Sequence, residues 1–396
     1  MKNILIDLIS LQANFVGKYN GGGEYAKIVF DRLFEFGKGI NIFGLINSKY
    51  PTNEFVEHYL SEYNLKCFDL KTDDLNNILI ENRINTFYSP LPYKFKNIDN
   101  LNCRFLGTIH GLRELEDIDP LTELFYTNSL IKKIKALVKL WFPSIKLKRK
   151  IPYYESLIKH SNFEFVTVSN HTKYAIASYL NLTDYQKIKV FYSPDTTSSP
   201  QFNIENEVSN TIKNLRDDSY FLLVSGNRWI KNNARAILAL DEIFSQLNGF
   251  IDKKAIVTGI TDLDSPYLKK IKNPNRFIFL NYVSNAELNY LYKNSFCFIY
   301  PSLNEGFGYP PLEAMKYGKP VLSSPYTSIT EICGDAPLYF NPLSMKEIKN
   351  RILMILDDEL YTEKSESSLI QFKKIQKKQA QDLEKLVSFI IDNDAQ

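Results

Sequence analysis

Short apolar runs alternate with longer amphipathic stretches along this chain. Strands that alternate with helices form parallel sheets, which helices cover on both faces. The pattern therefore predicts an α/β protein, in which ligands bind at the carboxyl ends of the strands. The runs that predict strands form two groups: 3–6, 41–46, 86–89, 105–109, 165–169 and 189–191, and then 220–225, 254–258, 276–279, 296–300 and 320–323.

A stretch rich in Ser, Thr, Asn and Pro, 193–210, separates the two groups of strands. A chain of 396 residues is long for one hydrophobic core, and its length alone favours two domains. We therefore predict two Rossmann-like halves, 1–200 and 201–374, and a charged amphipathic helix at 372–392. The cleft between the halves is the predicted active site, because the strand ends of both sheets are expected to face it.

The segment 301–320 contains two carboxylates, Glu305 and Glu313, which lie eight residues apart around a glycine-containing turn. The apolar run before the turn predicts a buried strand, and 311–317 predicts a helix. A strand, a turn and a helix in this order direct backbone N–H groups and the positive end of a helix dipole at one place, where a phosphate can bind. The alternative interpretation is an ordinary loop and helix with two surface acids.

The string Glu-Gly-Phe-Gly-x-Pro-x-x-Glu-Ala-Met at 305–315 resembles the Glu-x7-Glu signature of retaining glycosyltransferases of the GT-B fold, family 4. The resemblance implies two Rossmann-like domains that face each other across a cleft. It implies that 1–200 binds the acceptor and that 201–374 binds a nucleotide-diphosphate sugar, which is the donor substrate. It also implies that a final helix at about 375–396 packs back on the first domain.

The resemblance assigns roles to the residues of this element. Glu313 is expected to bind the ribose hydroxyls, and Glu305 a hydroxyl of the transferred sugar. The other donor-binding positions are Gly306, Phe307 and Gly308, whose N–H groups are expected to face sugar and phosphate, and Val283, which is expected to border the nucleobase.

A second element, 225–233, follows a predicted buried strand and contains Asn227, Arg228 and Lys231. It resembles the Gly-x-Arg…Lys-Asn element of the family, with the two cations closer together than in many members. A nucleoside diphosphate gains negative charge as it leaves, and fixed cations stabilise that charge without a metal ion. The resemblance places Arg228 and Lys231 in catalysis and Asn227 in donor binding, with no metal and no further cofactor. The alternative is a pair of ordinary surface cations at a helix start.

Two features of the first half match further elements of the family. Gly22 and Gly23 precede a predicted helix at 25–36, and consecutive glycines let a backbone approach a phosphate closely. His110 follows the predicted strand 105–109, where the family's histidine contacts the donor sugar. A flexible turn and a structural histidine are the respective alternatives.

The family often has an Asp after this histidine, whereas Gly111 stands there in this chain. The departure leaves open which residues help to orient the sugar and the acceptor. Arg113, Glu114 and Glu116 are the candidate substitutes.

The composition narrows the class of protein. The four cysteines and four histidines have no metal-type spacing, which fits a reducing compartment and predicts no structural metal. The first residues lead directly into a strand, and no run reaches the roughly 20 apolar residues that span a bilayer. We therefore expect a cytoplasmic protein, with the inner face of the plasma membrane as a further possibility. Its net charge of +3 and the absence of a recognition motif argue against nucleic-acid binding.

The segment 128–150 holds eight Lys and Arg and no acid, so the rest of the chain carries about −5. Apolar side chains at 130, 131, 134, 137, 138 and 141 share one face of the predicted helix, and lysines at 132, 135 and 139 the opposite one. A basic amphipathic helix of this kind suits an anionic membrane surface. The alternative, left open by the sequence, is a helix packed on the first domain with its lysines in solvent.

Together these features predict a retaining, metal-independent glycosyltransferase that moves a sugar from a nucleotide-diphosphate sugar to a saccharide or lipid-linked saccharide. Cell-envelope polysaccharide or lipopolysaccharide synthesis is the expected process. The alternatives are a transferase acting on a soluble sugar or sugar phosphate, and a catalytically silent GT-B scaffold subunit. A nicotinamide-dependent dehydrogenase is disfavoured, because the first strand is not followed by Gly-x-Gly-x-x-Gly.

Overall fold

The computed structural model of this chain describes residues 1–12, 21–37, 39–95, 101–116, 119–158, 163–196, 208–213, 215, 219–247 and 252–392. The chain divides into two compact units. The first comprises Met1–Leu112, Lys148–Thr196 and Lys377–Gln396, and the second comprises Arg113–Leu147 and Thr197–Gln376. Each unit is built on one sheet, and every strand pairing in both sheets is parallel.

The sheet of the first unit has seven strands in the order β3-β2-β1-β4-β5-β6-β7. Its strands are β1 Lys2–Asp7, β2 Ile40–Ile46, β3 Cys67–Asp69, β4 Thr86–Ser89, β5 Arg104–Ile109, β6 Phe163–Thr167 and β7 Lys189–Val190. The sheet of the second unit has six strands in the order β10-β9-β8-β11-β12-β13. Its strands are β8 Tyr220–Leu223, β9 Lys254–Val257, β10 Phe277–Phe279, β11 Cys297–Tyr300, β12 Val321–Ser323 and β13 Leu338–Tyr339.

Helices connect the strands in both units. They are α1 Gly21–Phe36, α2 Glu54–Glu62, α3 Leu75–Glu81, α4 Leu130–Trp141, α5 Pro143–Ile158, α6 Asn170–Leu180, α7 Asn210–Lys213, α8 Asn233–Gln246, α9 Asn285–Asn294, α10 Tyr309–Lys316, α11 Ile329–Cys333, α12 Met345–Met354 and α13 Asp358–Ile391. Both sheets have the strand order 3-2-1-4-5-6 of the doubly wound dinucleotide-binding fold, the first with one strand added. The predicted pair of Rossmann-like halves is therefore present.

Each of the eleven predicted runs contains a strand. The predicted and observed boundaries differ by no more than two residues. The prediction missed β3 and β13, which have three and two residues and therefore carry no periodic pattern. Helix α1 begins at Gly21 rather than at residue 25, so the consecutive glycines form its first turn instead of a loop before it. Helix α10 begins at Tyr309, two residues before its predicted start.

The observed division differs from a single boundary near residue 200, because residues 113–147 group with the second unit. The guanidinium of Arg235 in α8 explains this grouping: it forms an ion pair of 3.0 Å with Asp119 and donates a hydrogen bond of 2.6 Å to Thr122. In addition, the Tyr126 hydroxyl accepts a hydrogen bond of 2.8 Å from the backbone of Ala234. Such contacts join residues more than 100 positions apart, which local periodicity does not reveal.

The final helix, α13, contributes to both units. Up to Gln376 it belongs to the second unit, where Gln371 donates a hydrogen bond of 2.6 Å to the carbonyl of Ile332. From Lys377 onward it belongs to the first unit. There Asp382 accepts a hydrogen bond of 2.9 Å from the backbone of Tyr192, at the end of the sheet.

Candidate functional site

The second unit brings two predicted elements together where its strand order reverses. Strands β8 and β11 are neighbours in the sheet, with Phe221 paired to Cys297 and Leu222 to Phe298. The loop with the predicted cations follows β8, and the loop with Glu305 follows β11. The crevice beside such a reversal is the usual ligand site of this architecture.

An ion pair between Lys231 and Glu305 forms the centre of this site. The Lys231 Nζ lies 2.5 Å from Glu305 Oε1, and both side chains are at least nine-tenths buried. The same oxygen accepts hydrogen bonds from the Tyr300 hydroxyl at 2.7 Å and from Ser302 Oγ at 2.5 Å. Lys231 also donates to the Tyr300 hydroxyl at 2.6 Å. The carboxylate is therefore held rigidly by three donors.

All three donors contact only one of the two carboxylate oxygens of Glu305. Within the part of the chain that the structure describes, Oε2 accepts no hydrogen bond. An ionised carboxylate can accept several hydrogen bonds, so this oxygen can accept one from a ligand hydroxyl. The backbone N–H of Glu305 is itself anchored, because it donates to Thr327 Oγ1 at 2.9 Å.

The pair has shifted protonation equilibria. Burial lowers the pKa of Lys231 to about 8 against the opposing effect of Glu305, and Arg228 and Arg113 lower it further. Burial alone would raise the pKa of Glu305, but Lys231 and Arg113 outweigh that effect and hold this pKa below its ordinary value. Burial and the adjacent carboxylate raise the pKa of Tyr300 well above its ordinary value, so its hydroxyl keeps its proton and donates.

Two asparagines after Lys231 fix the cation loop to the rest of the unit. Asn232 has a left-handed backbone, φ 56°, and its amide donates to the carbonyl of Pro301 at 3.2 Å and to that of Pro342 at 2.7 Å. Asn233 donates to the carbonyl of Val224 at 2.7 Å. The loops after β8 and β11 are thus bonded to each other, which keeps Lys231 beside Glu305.

The other two residues of this element differ in what they contact. Arg228 is exposed, and its side chain forms no hydrogen bond or ion pair with the described residues. The amide oxygen of Asn227 instead accepts from the backbone N–H groups of Thr261 at 2.7 Å and Asp262 at 2.8 Å. Asn227 was predicted to bind the sugar donor. In the structure, its amide oxygen instead holds the neighbouring loop at Thr261 and Asp262.

The turn from Gly306 to Gly308 enters helix α10 with few free donors. Gly308 adopts φ 107°, and a Cβ there would lie 3.0 Å from a methyl group of Ile329, so glycine is required on both counts. The helix continues with Pro310 and Pro311, which have no N–H group. The predicted row of backbone donors at this helix start is therefore reduced, and side-chain cations carry more of the positive charge available to an anion.

The second unit also contains the other residues that were predicted to bind the nucleotide-sugar donor. Glu313 is half-buried in the second turn of α10, where its charge helps to raise the pKa of Tyr292, although burial is the larger cause. Val283 lies between β10 and α9, and its backbone N–H and carbonyl form no hydrogen bonds among the described residues. Such a backbone can pair with the edge of a nucleobase. Phe307 is buried, and its carbonyl accepts a hydrogen bond from Ser328 at 2.9 Å.

The first unit brings its own predicted residues together. Gly22 and Gly23 lie in the first turn of α1, whose N–H groups lack partners within the helix. Two residues later, the ring of Tyr25 meets the imidazole of His110 edge to face at 4.6 Å. His110 Nε2 lies 2.9 Å from the carbonyl of Pro90, which can only accept, so this nitrogen carries the proton.

Burial lowers the pKa of His110 to about 4. The imidazole is therefore neutral at physiological pH, with Nδ1 as an acceptor. A neutral ring in this position can accept a hydrogen bond from a sugar hydroxyl but contributes no positive charge to phosphate binding.

Sequence reasoning missed the residues that hold the buried pair. Tyr300 ends a strand that reads as core, Ser302 lies just before the string at 305–315, and Thr327 belongs to a segment with no motif of its own. A usable signal was the polar hydroxyl of Tyr300 at the carboxyl end of an otherwise apolar strand, because a buried hydroxyl needs a partner.

Helix α4 presents its apolar face to solvent. Its large apolar side chains are exposed, including Ile131 at 66% and Trp141 at 75%, whereas its buried residue is the small Ala136. On the inward side, Lys139 forms an ion pair of 3.2 Å with Glu123 of the second unit. The alternative of a helix packed on the first domain is therefore wrong in its packing, because α4 belongs to the second unit and its apolar face is exposed, whereas Lys132 and Lys135 are in solvent as that alternative expected. No helix among the described residues is both long and apolar enough to cross a membrane.

Comparisons with known proteins show which proteins this chain resembles. Residues 207–376 match the family described as "Glycosyl transferases group 1". The O-antigen chain mannosyltransferase RfbU of Salmonella typhimurium is 30% identical over 268 residues, which are 65% of this chain and 65% of that protein. O-antigen chain mannosyltransferase B of Escherichia coli is 45% identical over 85 residues, 22% of each chain. The chain thus matches less than two thirds of these relatives.

The crystal structure of HepE from Anabaena, solved with UDP and glucose, superposes with a TM-score of 0.62. The two chains are 15% identical, and the match covers 98% of this chain and 100% of that one. Similarity at this level of identity shows the fold. The GT-B fold predicted from the Glu-x7-Glu element is confirmed.

Proposed function

We propose that this chain, whose residues 207–376 belong to the group 1 glycosyl transferases, is an enzyme that transfers a sugar from a nucleotide-diphosphate sugar to a saccharide. Its relatives are named O-antigen mannosyltransferases, which supports a role in envelope polysaccharide synthesis. The observation that carries the proposal is the buried Lys231–Glu305 pair, with one oxygen of Glu305 left to a ligand. The named ligands of HepE, UDP and glucose, support a nucleotide-sugar donor.

The chemistry follows from the charges at the site. As the glycosidic bond of the donor breaks, the leaving diphosphate gains negative charge, and cations fixed in a buried site stabilise it. Arg228 and Lys231 supply this charge, which makes a metal ion unnecessary. Glu305 orients the sugar through a hydroxyl. Attack of the acceptor hydroxyl from the face that the diphosphate leaves would retain the anomeric configuration.

A panel of nucleotide sugars tests the proposal, with mannose and glucose each carried on GDP and UDP. A ligand that binds the native state raises the melting temperature. We expect one donor to stabilise the protein, and its sugar to reach a saccharide acceptor with unchanged anomeric configuration in the NMR spectrum of the product. Turnover should survive EDTA. If no nucleotide sugar stabilises the protein or is consumed, the proposal is wrong, and a silent scaffold becomes the better interpretation.

Ribose recognition by Glu313 gives a separate prediction. Glu313→Ala is expected to weaken nucleoside-diphosphate binding by about 10- to 100-fold, because hydrogen bonds from ribose to a charged group are lost. Isothermal titration calorimetry measures the affinity, with Glu359→Ala, an exposed acid of α13, as control. A 2′-deoxynucleoside diphosphate should bind wild type less tightly, and the variant should no longer distinguish it from the ribonucleotide. Unchanged affinity of the variant contradicts the ribose role.

The lowered pKa of Lys231 predicts a pH dependence of donor binding. Since this pKa is about 8 in the ligand-free protein, the ammonium loses its proton as the pH rises through 8. An anionic ligand binds the protonated form, so nucleoside-diphosphate affinity should be constant from about pH 7 to 8 and then fall by up to about tenfold per pH unit. Calorimetry between pH 7 and 9.5 checks this. Lys231→Arg, which stays charged, should flatten the profile, and an equal decline in both proteins contradicts the assignment.

We further propose that the acceptor is lipid-linked and that the enzyme works at the inner face of the plasma membrane, docked through α4. Large apolar side chains of this helix are exposed next to one another, and a contiguous exposed apolar patch marks a surface that binds a membrane or another protein. Exposed Lys132 and Lys135 accompany it. Each lysine near an anionic bilayer contributes about 1 kcal/mol. Apolar insertion together with these cations favours an anionic membrane over a neutral partner.

A further inference from the structure

The segment that follows strand β5 is bound firmly to the second unit. The guanidinium of Arg235 is buried, and it contacts both Asp119, at 3.0 Å, and Thr122 Oγ1, at 2.6 Å. The ring of Tyr126 packs on Tyr267, with a centroid distance of 5.0 Å. These contacts fix the segment against α8, the helix that follows the Lys231 loop.

The start of the same segment contacts the loop that carries Glu305. The side-chain amide of Asn304 donates a hydrogen bond of 3.1 Å to Glu116 Oε2, and Asn304 directly precedes Glu305 in the chain. Arg113 lies three residues before Glu116. Its positive charge lowers the pKa of both Glu305 and Lys231, although burial is the largest influence on each. The hydrogen bond between Asn304 and Glu116 thus places the segment that carries Arg113 beside the loop that carries Glu305.

Among the residues that the structure describes, the Arg113 side chain has no hydrogen-bond or ion-pair partner, and it is exposed. Arg228, on the loop after β8, is likewise exposed, and its side chain forms no hydrogen bond or ion pair with the described residues. The buried carboxylate of Glu305 already binds Lys231. Two guanidiniums beside a buried ion pair, neither of them engaged, form a subsite for an anion with several oxygens.

We propose that Arg113 binds the diphosphate of the donor together with Arg228, so that the donor site includes a residue from outside the stretch 207–376 matched by the family. The proposal rests on the proposed function and specifies its phosphate site. A guanidinium matches phosphate oxygens with two parallel N–H donors, whereas the two prolines at the start of α10 leave few backbone donors there.

Calorimetric titration with GDP and UDP tests this assignment, with the parent nucleosides as ligands that lack phosphate. Arg113→Gln is expected to weaken diphosphate binding by about 10- to 100-fold while nucleoside binding stays unchanged. Its affinity should also depend less steeply on salt, because one cation fewer contacts the phosphates. Arg113→Lys should recover part of the loss. Arg149→Gln, at an exposed arginine of α5, removes the same charge elsewhere and should bind like wild type.

The outcomes separate the two proposals. If wild type binds neither diphosphate, the proposed function is wrong and this inference falls with it. If wild type binds a diphosphate and Arg113→Gln binds it equally well with the same salt dependence, only the inference is overturned. A parallel loss of nucleoside and diphosphate binding, or a lowered melting temperature of the variant, would indicate a structural role and would also overturn it.

Discussion

Replacing Lys231 with methionine is expected to lower turnover by about 100- to 1,000-fold, the usual cost of removing one group that stabilises developing negative charge. The substitution also leaves Glu305 buried without its counter-ion. Breaking a buried ion pair from one side costs roughly 3–5 kcal/mol of folding stability. Lys231→Met should therefore show both a low kcat and a lowered melting temperature, measured by a transfer assay and by thermal unfolding.

The double variant Lys231→Met/Glu305→Gln separates these two effects. The amide of glutamine removes the buried charge while keeping the shape of the side chain, so much of the lost stability should return. Turnover should stay low, because the cation is still absent. Lys254→Met, at an exposed lysine of β9, is the control and should behave like wild type. Near-normal turnover in Lys231→Met would contradict the diphosphate role of this residue.

The second large effect is expected at the membrane. The double variant Ile134→Glu/Val138→Glu places two charges in the exposed apolar face of α4 and should reduce binding to anionic vesicles by at least about 100-fold. Co-sedimentation with phosphatidylglycerol vesicles measures this binding, which should also fall with salt and be weak on neutral phosphatidylcholine. The side chains at 134 and 138 are exposed in the protein, so the fold should be unaffected.

Leu263→Glu is the matched control for this experiment, because Leu263 is also exposed, at 67%, but lies outside α4. It should bind vesicles like wild type. Equal vesicle binding by the α4 variant and wild type would contradict membrane docking. If the variant instead changes the oligomeric state measured by light scattering, and wild type does not bind vesicles, the apolar face covers a second copy of the chain.

The sheets could be predicted from the sequence, because short apolar runs indicate buried strands. Glu305 and Glu313 lie in a string with the spacing of the family, whereas Arg228 and Lys231 lie closer together than in many members, and the roles of these residues stay predictions. The partners of the ion pair were not predictable, because Tyr300 reads as strand core and Thr327 follows an unremarkable turn. Tyr300 lies 5 residues from Glu305 but 69 from Lys231, and Thr327 lies 22 residues from Glu305, so most of these contacts do not follow from a local pattern.

Helix α4 shows a second limit of sequence reasoning. Its amphipathic pattern was recognised correctly, but the usual inference that the apolar face points inward fails here. The helix is held through Ala136 and the ion pair of Lys139, which the pattern gives no reason to favour. Periodicity identifies the two faces of a helix, but it does not decide which of them meets the protein.

The distant counter-ion of Arg235 affects how chimeras of this chain should be made. Asp119 lies 116 positions before it in the chain. A chimera that exchanges only 207–376 between relatives would therefore leave the buried guanidinium of Arg235 without its counter-ion. The loss of folding stability would be roughly 3–5 kcal/mol. The module to exchange is therefore discontinuous, and recombination junctions need to carry 113–126 together with the contiguous stretch.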